Sequence, residues 1–290
     1  MTDPFDTRRP ERQSAQPTIA EHLVDRLVAA GARHVFGVPG DYNLRFLDVI
    51  EAHPELEWVG NANELDAAYA ADGYARIRGV GAVTTTYGVG ELSALNGIAG
   101  AYAEHLPVFH LVGMPTIAAQ TSRALVHHTL GTGEFDVFAK MAEPVVCASA
   151  IMTPQNVAHE TERLIAAALY HRRPVYVAFP SDVANQSVVS SAQPVAQPRS
   201  DPAVLRSASE AVLAAITAAQ NACILPGLVA ARAGLGAELQ AFASAILSGK
   251  QPAVTGEEGV AGLEIAIQCL QKKATPSATS AWQMPRLVTG

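Results

Sequence analysis

The sequence predicts an α/β protein: a doubly wound parallel sheet with helices on both faces, followed by an incomplete second α/β domain. Apolar runs of strand length alternate with segments of helical periodicity, which is typical of parallel βα units. The strand-like runs lack polar alternation, as expected where helices cover both faces of a sheet. After a stretch rich in Ser, Gln and Pro the alternation restarts and then fades. We therefore expect one complete domain and part of a second.

The composition changes along the chain predict its division into segments. A polar beginning without helical periodicity indicates a flexible arm, and the Ser-, Gln- and Pro-rich stretch indicates a linker. The predicted segments are an arm at 1–17, a first domain at 18–185, a linker at 186–202, a partial second domain at 203–248 and an irregular tail at 249–290.

The first helix is predicted at 18–30. Thr18 and Glu21 have the spacing of a capping box, Leu23 and Leu27 continue at helical spacing, and Gly31 provides a stop. The strand, loop and helix unit then recurs along the chain. Strands are predicted at 34–38, 56–60, 82–87, 107–113, 144–149, 174–179 and 222–227, and further helices at 44–50, 63–77, 91–103, 154–170, 203–219, 235–247 and 262–270.

The charge balance excludes several classes of partner. Among 290 residues, 20 Lys and Arg against 27 Asp and Glu give a net charge of −7, and the basic residues form no run that would suit a phosphate backbone. We expect no nucleic-acid partner. The sequence has neither a signal-peptide core nor an apolar run of about 18 residues, so we expect a cytoplasmic protein without a membrane partner.

The common short motifs of cofactor and hydrolase sites are absent. No G-x-G-x-x-G, G-x-x-x-x-G-K-[ST], H-E-x-x-H or G-x-S-x-G occurs in the sequence. The three cysteines, Cys147, Cys223 and Cys269, lack the spacing of a zinc site or a disulfide framework. The sequence therefore disfavours nicotinamide, P-loop, zincin and α/β-hydrolase chemistry, and we predict no metal ligand in this chain.

Polar residues follow several predicted strands, where open α/β sheets bind ligands. Asp41, Glu64 and the loop at 87–91 have this position. His127 and His128 lie in a later loop, and two imidazoles that titrate near neutrality suit proton transfer. Position alone leaves ordinary alternatives open: a helix-start Glu, a turn or N-cap Asp, and two surface histidines.

Four segments together carry a family resemblance. FGVPGDYN (36–43), NANELDAAYAADGYAR (61–76), TTYGVGELSALNGIAGAYAEHLPV (85–108) and HHTLGTGEF (127–135) closely resemble the N-terminal half of thiamine-diphosphate-dependent 2-oxo acid decarboxylases. The match is with the pyruvate and indolepyruvate/phenylpyruvate branch and covers about 18–245. Acetohydroxyacid synthases share the Glu and the ADGYAR element but differ at the GDYN, GELSALNG and HHTLG positions.

The resemblance implies a role for each matching residue. The first domain would bind the aminopyrimidine of thiamine diphosphate, and Glu64 would hydrogen-bond its N1′ nitrogen and so promote removal of the C2 proton. Asp41, His127 and His128 would form a proton relay beside the substrate. Pro39, Gly40, Val89 and His128 would complete the pyrimidine site.

The same resemblance implies what this chain lacks. The family carries a C-terminal domain whose GDG…N element holds Mg²⁺ and the diphosphate, and no such element occurs here. The resemblance lapses near 246–249, and we expect a truncated or frameshifted product whose tail is out of frame. Family members are homodimers or homotetramers, which the resemblance leaves uncertain for this chain.

The activity implied by the resemblance is non-oxidative decarboxylation of a 2-oxo acid to an aldehyde and CO₂. The segment GEFDVFAKMAEP favours indolepyruvate or phenylpyruvate as the substrate, and pyruvate is the alternative. We expect the chain alone to be inactive. Two further alternatives are a non-catalytic fragment and one chain of a split thiamine-diphosphate enzyme.

Overall fold

The computed structural model describes residues 16–218. Within them, one six-stranded sheet is surrounded by helices, and a short 3-10 turn covers Glu143–Val145. The strands are β1 (His34–Gly37), β2 (Glu57–Gly60), β3 (Gly81–Thr86), β4 (Val108–Met114), β5 (Ala148–Ile151) and β6 (Val175–Pro180). The helices are α1 (Ile19–Ala29), α2 (Leu44–Glu51), α3 (Glu64–Arg78), α4 (Val89–Ala103), α5 (Ile117–Thr121), α6 (Val137–Ala142), α7 (Val157–His171) and α8 (Pro202–Ala218).

The sheet confirms the predicted fold class. All strand pairs are parallel, in the order β2-β1-β3-β4-β6-β5. The chain builds outward from β1 to β2 and then returns to β3 on the other side of β1. The direction of winding therefore reverses between β1 and β3, and in open α/β sheets ligands bind at the carboxyl ends of the strands at such a point.

Two hydrophobic cores lie on opposite faces of the sheet. One contains buried residues of α1, α2 and α7, and the other contains those of α3, α4 and α6. Strands β3, β4 and β6 are buried along their whole length, which explains their uninterrupted apolar character.

Helix α1 begins as its sequence predicts. The Oγ1 of Thr18 accepts a hydrogen bond from the Glu21 amide at 3.2 Å, and Oε2 of Glu21 accepts one from the Thr18 amide at 2.9 Å. Each side chain satisfies an N–H group that the first helical turn leaves unpaired. Arg26 then joins α1 to α7 by donating to Glu162 at 3.0 Å.

Two features of the structure differ from the elements predicted from the sequence. The segment at 144–149 is not all strand, because Pro144 lies in the 3-10 turn and β5 begins only at Ala148. The loop predicted after β4 contains the short helices α5 and α6. Helices of five and six residues are too short for their periodicity to stand out in the sequence.

A division into two compact units falls between Pro198 and Arg199. Val188 is buried in the first unit, and its amide donates to the Pro17 carbonyl. In the second unit the structure describes α8, at the place of the helix predicted at 203–219. The predicted elements at 222–227, 235–247 and 262–270 and most of the predicted arm lie outside the described residues. No helix among the described residues has the length and apolarity needed to cross a membrane.

Candidate active site at the carboxyl edge of the sheet

The loop after β1 is shaped by a buried amide. Asn43 is fully buried, its Oδ1 accepts a hydrogen bond from the Gly40 amide at 2.8 Å, and its Nδ2 donates to the Val38 carbonyl at 3.2 Å. A methyl group on Gly40 would lie 2.6 Å from Cβ of Thr86, so this position requires glycine. The loop thus packs directly against the carboxyl end of β3, and Pro39 beside it is exposed.

Glu64 is the first residue of α3. The side chain of Asn63 caps this helix by accepting a hydrogen bond from the Asp66 amide at 2.9 Å. Glu64 is half-buried, and its Oε1 lies 3.2 Å from where a methyl group on Gly90 would sit. Among residues 16–218 no group hydrogen-bonds the Glu64 carboxylate. It is therefore an acceptor without a protein donor in the described part of the chain.

The turn at 87–90 separates Glu64 from the histidines. A methyl group on Gly90 would also lie 2.9 Å from Cγ2 of Thr86, so glycine is needed for the loops to approach here. On the other side of the turn, Gly88 packs against the carbonyl oxygen of His128. Val89 lies between the two glycines with 58% of its surface exposed, so an apolar side chain is presented at the edge of the sheet.

Asp41 and His127 form a pair at this edge. Nε2 of His127 lies 2.9 Å from Oδ2 of Asp41, and both side chains are more than half exposed. Tyr42 stacks on the His127 ring with centroids 5.0 Å apart, and its hydroxyl donates to the His127 carbonyl at 3.3 Å. Partial burial and the Asp41 charge raise the pKa of the Tyr42 hydroxyl, so it remains a neutral donor.

His128 lies beside this pair in an unusual backbone conformation. Its φ is +62°, in the left-handed region that few residues other than glycine adopt. Its ring lies edge-on to Tyr42 at 6.2 Å and to His127 at 4.6 Å between centroids. Its Nδ1 is buried and has no hydrogen-bond partner in the described structure.

The structure thus places the predicted site residues around one turn. His127 contacts both Asp41 and His128, and Glu64 approaches the same turn from α3. The sequence interpretation missed Tyr42 and Thr86 as contributors to the site. Tyr42 lies inside the GDYN segment that carries the resemblance, so the sequence could have indicated its role. Thr86 has the appearance of an ordinary strand residue, so nothing in the sequence indicated its role.

Comparison with known proteins shows which proteins this chain resembles in sequence. Residues 17–139 match the family of thiamine pyrophosphate enzymes at their N-terminal TPP binding domain. Alpha-keto-acid decarboxylases from Mycobacterium tuberculosis and Mycobacterium leprae are 50% and 48% identical to this chain over 178 residues. One from Mycobacterium ulcerans is 52% identical over 167 residues.

These alignments cover 61%, 61% and 58% of this chain, and 32%, 31% and 30% of the respective relatives. The chain thus spans about a third of the length of the relatives it matches. The residues matched by the family, 17–139, contain the site described above. The resemblance to the thiamine-diphosphate-dependent 2-oxo acid decarboxylases is confirmed. Over residues 17–139, this chain is thus similar to the N-terminal TPP binding domain of thiamine pyrophosphate enzymes, and in sequence it is similar to the alpha-keto-acid decarboxylases.

Proposed function

We propose that this chain supplies the aminopyrimidine-binding half of a thiamine-diphosphate-dependent 2-oxo acid decarboxylase, with Glu64 as the residue that activates the cofactor. One observation carries the proposal. Glu64 approaches Gly90 on one side of the turn at 87–90, and His128 packs against Gly88 on the other side. This places a carboxylate and two imidazoles around one edge of the sheet, where an open α/β fold binds its ligand.

The residues fit an aminopyrimidine ring. Glu64 offers a carboxylate without a protein donor in the described structure, which suits a protonated ring nitrogen such as N1′. Thr86 has a buried hydroxyl without a hydrogen-bond partner at the end of β3. Gly40 and Gly90 let their loops pack closely against Thr86 at this edge, and the exposed Val89 offers an apolar contact. When bound, the cofactor supplies the electron sink for loss of CO₂.

Asp41, His127 and His128 would serve proton transfer at the substrate. The carboxylate of Asp41 orients Nε2 of His127 at 2.9 Å, and Tyr42 holds the same ring by stacking. A protonated imidazole paired with a carboxylate can stabilise the negative charge of a 2-oxo acid and donate a proton to the product carbon.

The metal ion and the diphosphate would be held elsewhere. Within residues 16–218 no group of three His, Cys, Asp or Glu side chains can hold a metal ion. Mg²⁺ and the diphosphate would bind to residues outside 16–218, in a C-terminal domain of the kind found in this family. The assembly would be a homodimer or homotetramer.

We favour indolepyruvate or phenylpyruvate as the substrate, with pyruvate as the alternative. The segment that motivated this choice includes Phe135 and Phe138, which are buried and pack against Tyr87 at ring distances of 6.2 and 5.0 Å. They would influence which size of substrate the site accepts through the turn at 87–90, and not by direct contact with the substrate. A non-catalytic fragment and one chain of a split enzyme are the alternative functions.

Subunit complementation tests the proposal. The chain is mixed with a full-length mycobacterial alpha-keto-acid decarboxylase in which the glutamate aligned with Glu64 is replaced by glutamine. CO₂ release from indolepyruvate, phenylpyruvate and pyruvate is measured with thiamine diphosphate and Mg²⁺. We expect activity in the mixture and none from the glutamine variant alone, because Glu64 would complete the site.

Matched variants define the result. Glu64→Gln should abolish the restored activity, whereas Glu51→Gln, an exposed charge on α2, should preserve it. CO₂ release that is still restored by the Glu64→Gln chain would contradict the assignment of Glu64. A mixture in which the two proteins associate but release no CO₂ would also contradict it. If the proteins do not associate, saturation-transfer NMR measures binding of thiamine to this chain, and equal binding by Glu64→Gln would reject the role of Glu64.

A further inference from the structure

Glu91 is a buried carboxyl group that the proposed chemistry does not use. It lies in the first turn of α4 and is 3% exposed. No Lys, Arg or His among residues 16–218 forms an ion pair with it. Burial outweighs its two hydrogen bonds and raises its pKa from 4.5 to about 7. A buried acid without an ion-pair partner costs stability, so the position of Glu91 needs an explanation.

The two oxygens of Glu91 connect the turn to the middle of the sheet. Oε1 accepts a hydrogen bond from the Gly88 amide at 2.8 Å, and Oε2 accepts one from the Tyr176 hydroxyl at 2.7 Å. Tyr176 lies on β6 and is 1% exposed. A helix cap alone would need only the bond to Gly88, and the bond to Tyr176 adds a link to a rigid strand.

The turn at 87–90 also packs against His128. Gly88 has a φ of +67°, and a methyl group there would lie 1.8 Å from the His128 carbonyl oxygen and 3.1 Å from the ring of Phe138. Two residues with left-handed backbones, Gly88 and His128, therefore pack against each other. A shift of the Gly88 peptide cannot occur without a shift of His128.

We propose that Glu91 is a positioning residue that, through the Gly88 amide, sets the turn at 87–90 and thereby the backbone and ring of His128. Tyr176 anchors Glu91 on β6, Glu91 holds Gly88, and Gly88 supports His128. The importance of this chain of contacts for catalysis rests on the proposed function. The contacts themselves belong to the fold and can be tested without cofactor or substrate.

The test follows the histidine side chains of the full chain by NMR. The protein contains nine histidines, and the His128 ring resonance is assigned by its loss in His128→Asn, since asparagine tolerates a left-handed backbone. In Glu91→Leu the Gly88 amide and the Tyr176 hydroxyl lose their partner. We expect the His128 resonance to shift or broaden, while those of His22 and His53 beside the opposite core stay in place.

Glu91→Gln is the matched control. A glutamine can accept from the Gly88 amide and donate to the Tyr176 oxygen, so it should return the His128 resonance to its wild-type position. An unchanged His128 resonance in folded Glu91→Leu would overturn the proposal, and so would equal displacement in the Gln and Leu variants.

If Glu91→Leu does not fold, Tyr176→Phe replaces it, because it removes only the hydroxyl bound to Oε2. We then expect a smaller displacement of the same His128 resonance, and no displacement would overturn the proposal. None of these spectra requires thiamine diphosphate. If the His128 resonance is displaced but the complementation assay shows no activity, only the proposed function is rejected. If activity is restored but the His128 resonance is not displaced, only the positioning role is rejected.

Discussion

The ring of Tyr42 lies parallel to that of His127, with 14° between the planes, while Asp41 approaches the Nε2 of the same imidazole. Because Asp41 and His127 are both well exposed, their attraction is screened by solvent and adds little to stability. Tyr42 is half-buried and also contacts His128 and Tyr87 edge-on. The aromatic ring therefore contributes more to the position of the two histidines than the exposed contact between Asp41 and His127 does.

Removal of the Tyr42 ring should therefore impair the site. In the complementation assay, Tyr42→Leu should lower kcat by roughly tenfold or more, because a proton donor displaced by an ångström transfers its proton far less efficiently. Tyr42→Phe keeps the stacking and loses one long hydrogen bond to the His127 carbonyl, so it should stay near wild type. Equal losses in both variants would show that the hydroxyl, and not the ring, carries the effect.

Two glycine substitutions should have opposite consequences. Gly73 lies inside α3 with nothing within 4 Å of an added methyl group, so Gly73→Ala should raise the free energy of unfolding by roughly 0.5–1 kcal/mol. Gly90→Ala places a methyl group 3.2 Å from Oε1 of Glu64 and 2.9 Å from Cγ2 of Thr86. It should cost roughly 1–3 kcal/mol and displace Glu64.

Urea unfolding and the complementation assay separate these effects. Gly90→Ala should lose restored activity even at urea concentrations and temperatures where it remains folded. Gly73→Ala should keep its activity. A Gly90→Ala variant with full activity would show that Glu64 has room to move without consequence.

Glu91 should make stability fall as pH rises. Its ordinary pKa of 4.5 applies in the unfolded chain and the raised pKa of about 7 in the folded one, so between these values only the folded state holds the proton. The free energy of unfolding therefore decreases from about pH 4.5 to pH 7, by roughly 3 kcal/mol at most. Glu91→Gln should remove this decrease, which is measured by urea unfolding monitored by tryptophan fluorescence.

The comparison is made as a difference between wild type and Glu91→Gln at each pH, which cancels the other titrating groups. The wild type should approach the variant in stability at low pH and fall behind it at pH 8. Parallel curves across this range would mean that Glu91 titrates normally in the folded state.

His110 should have the opposite pH dependence. It is fully buried on β4, its Nε2 lies 3.1 Å from Oγ1 of Thr85, and burial lowers its pKa from 6.5 to about 3. Below pH 6.5 the unfolded chain binds a proton that the folded chain excludes, so stability is lost as pH falls toward 3, by roughly 5 kcal/mol at most.

His110→Leu should flatten this acid limb. At pH 8 it should be less stable than wild type, because Thr85 loses its partner, but the deficit should shrink as the pH falls. The measurement is the urea midpoint between pH 4 and 8. A deficit that stays constant with pH would show that His110 is accessible to protons in the folded state.

The sequence was sufficient for the fold class and for the residue types of the candidate site. Parallel strands were readable because helix coverage on both faces removes polar residues from β3, β4 and β6, and the α1 capping box was readable because it involves neighbouring residues. The short helices α5 and α6 were not readable, since one turn of helix leaves no periodicity.

The arrangement of the site depended on contacts between distant segments. Periodicity and motif reading act over a few residues, so they could single out Asp41, Glu64 and His127 one by one. Only the folded chain brings the Asp41 carboxylate to the His127 ring, and only there does Tyr176 on β6 meet Glu91 on α4. Local sequence thus determined which elements form and which polar groups they carry. Packing of the two helical layers onto one sheet decided which of those groups meet, because burial and close approach depend on non-local contacts.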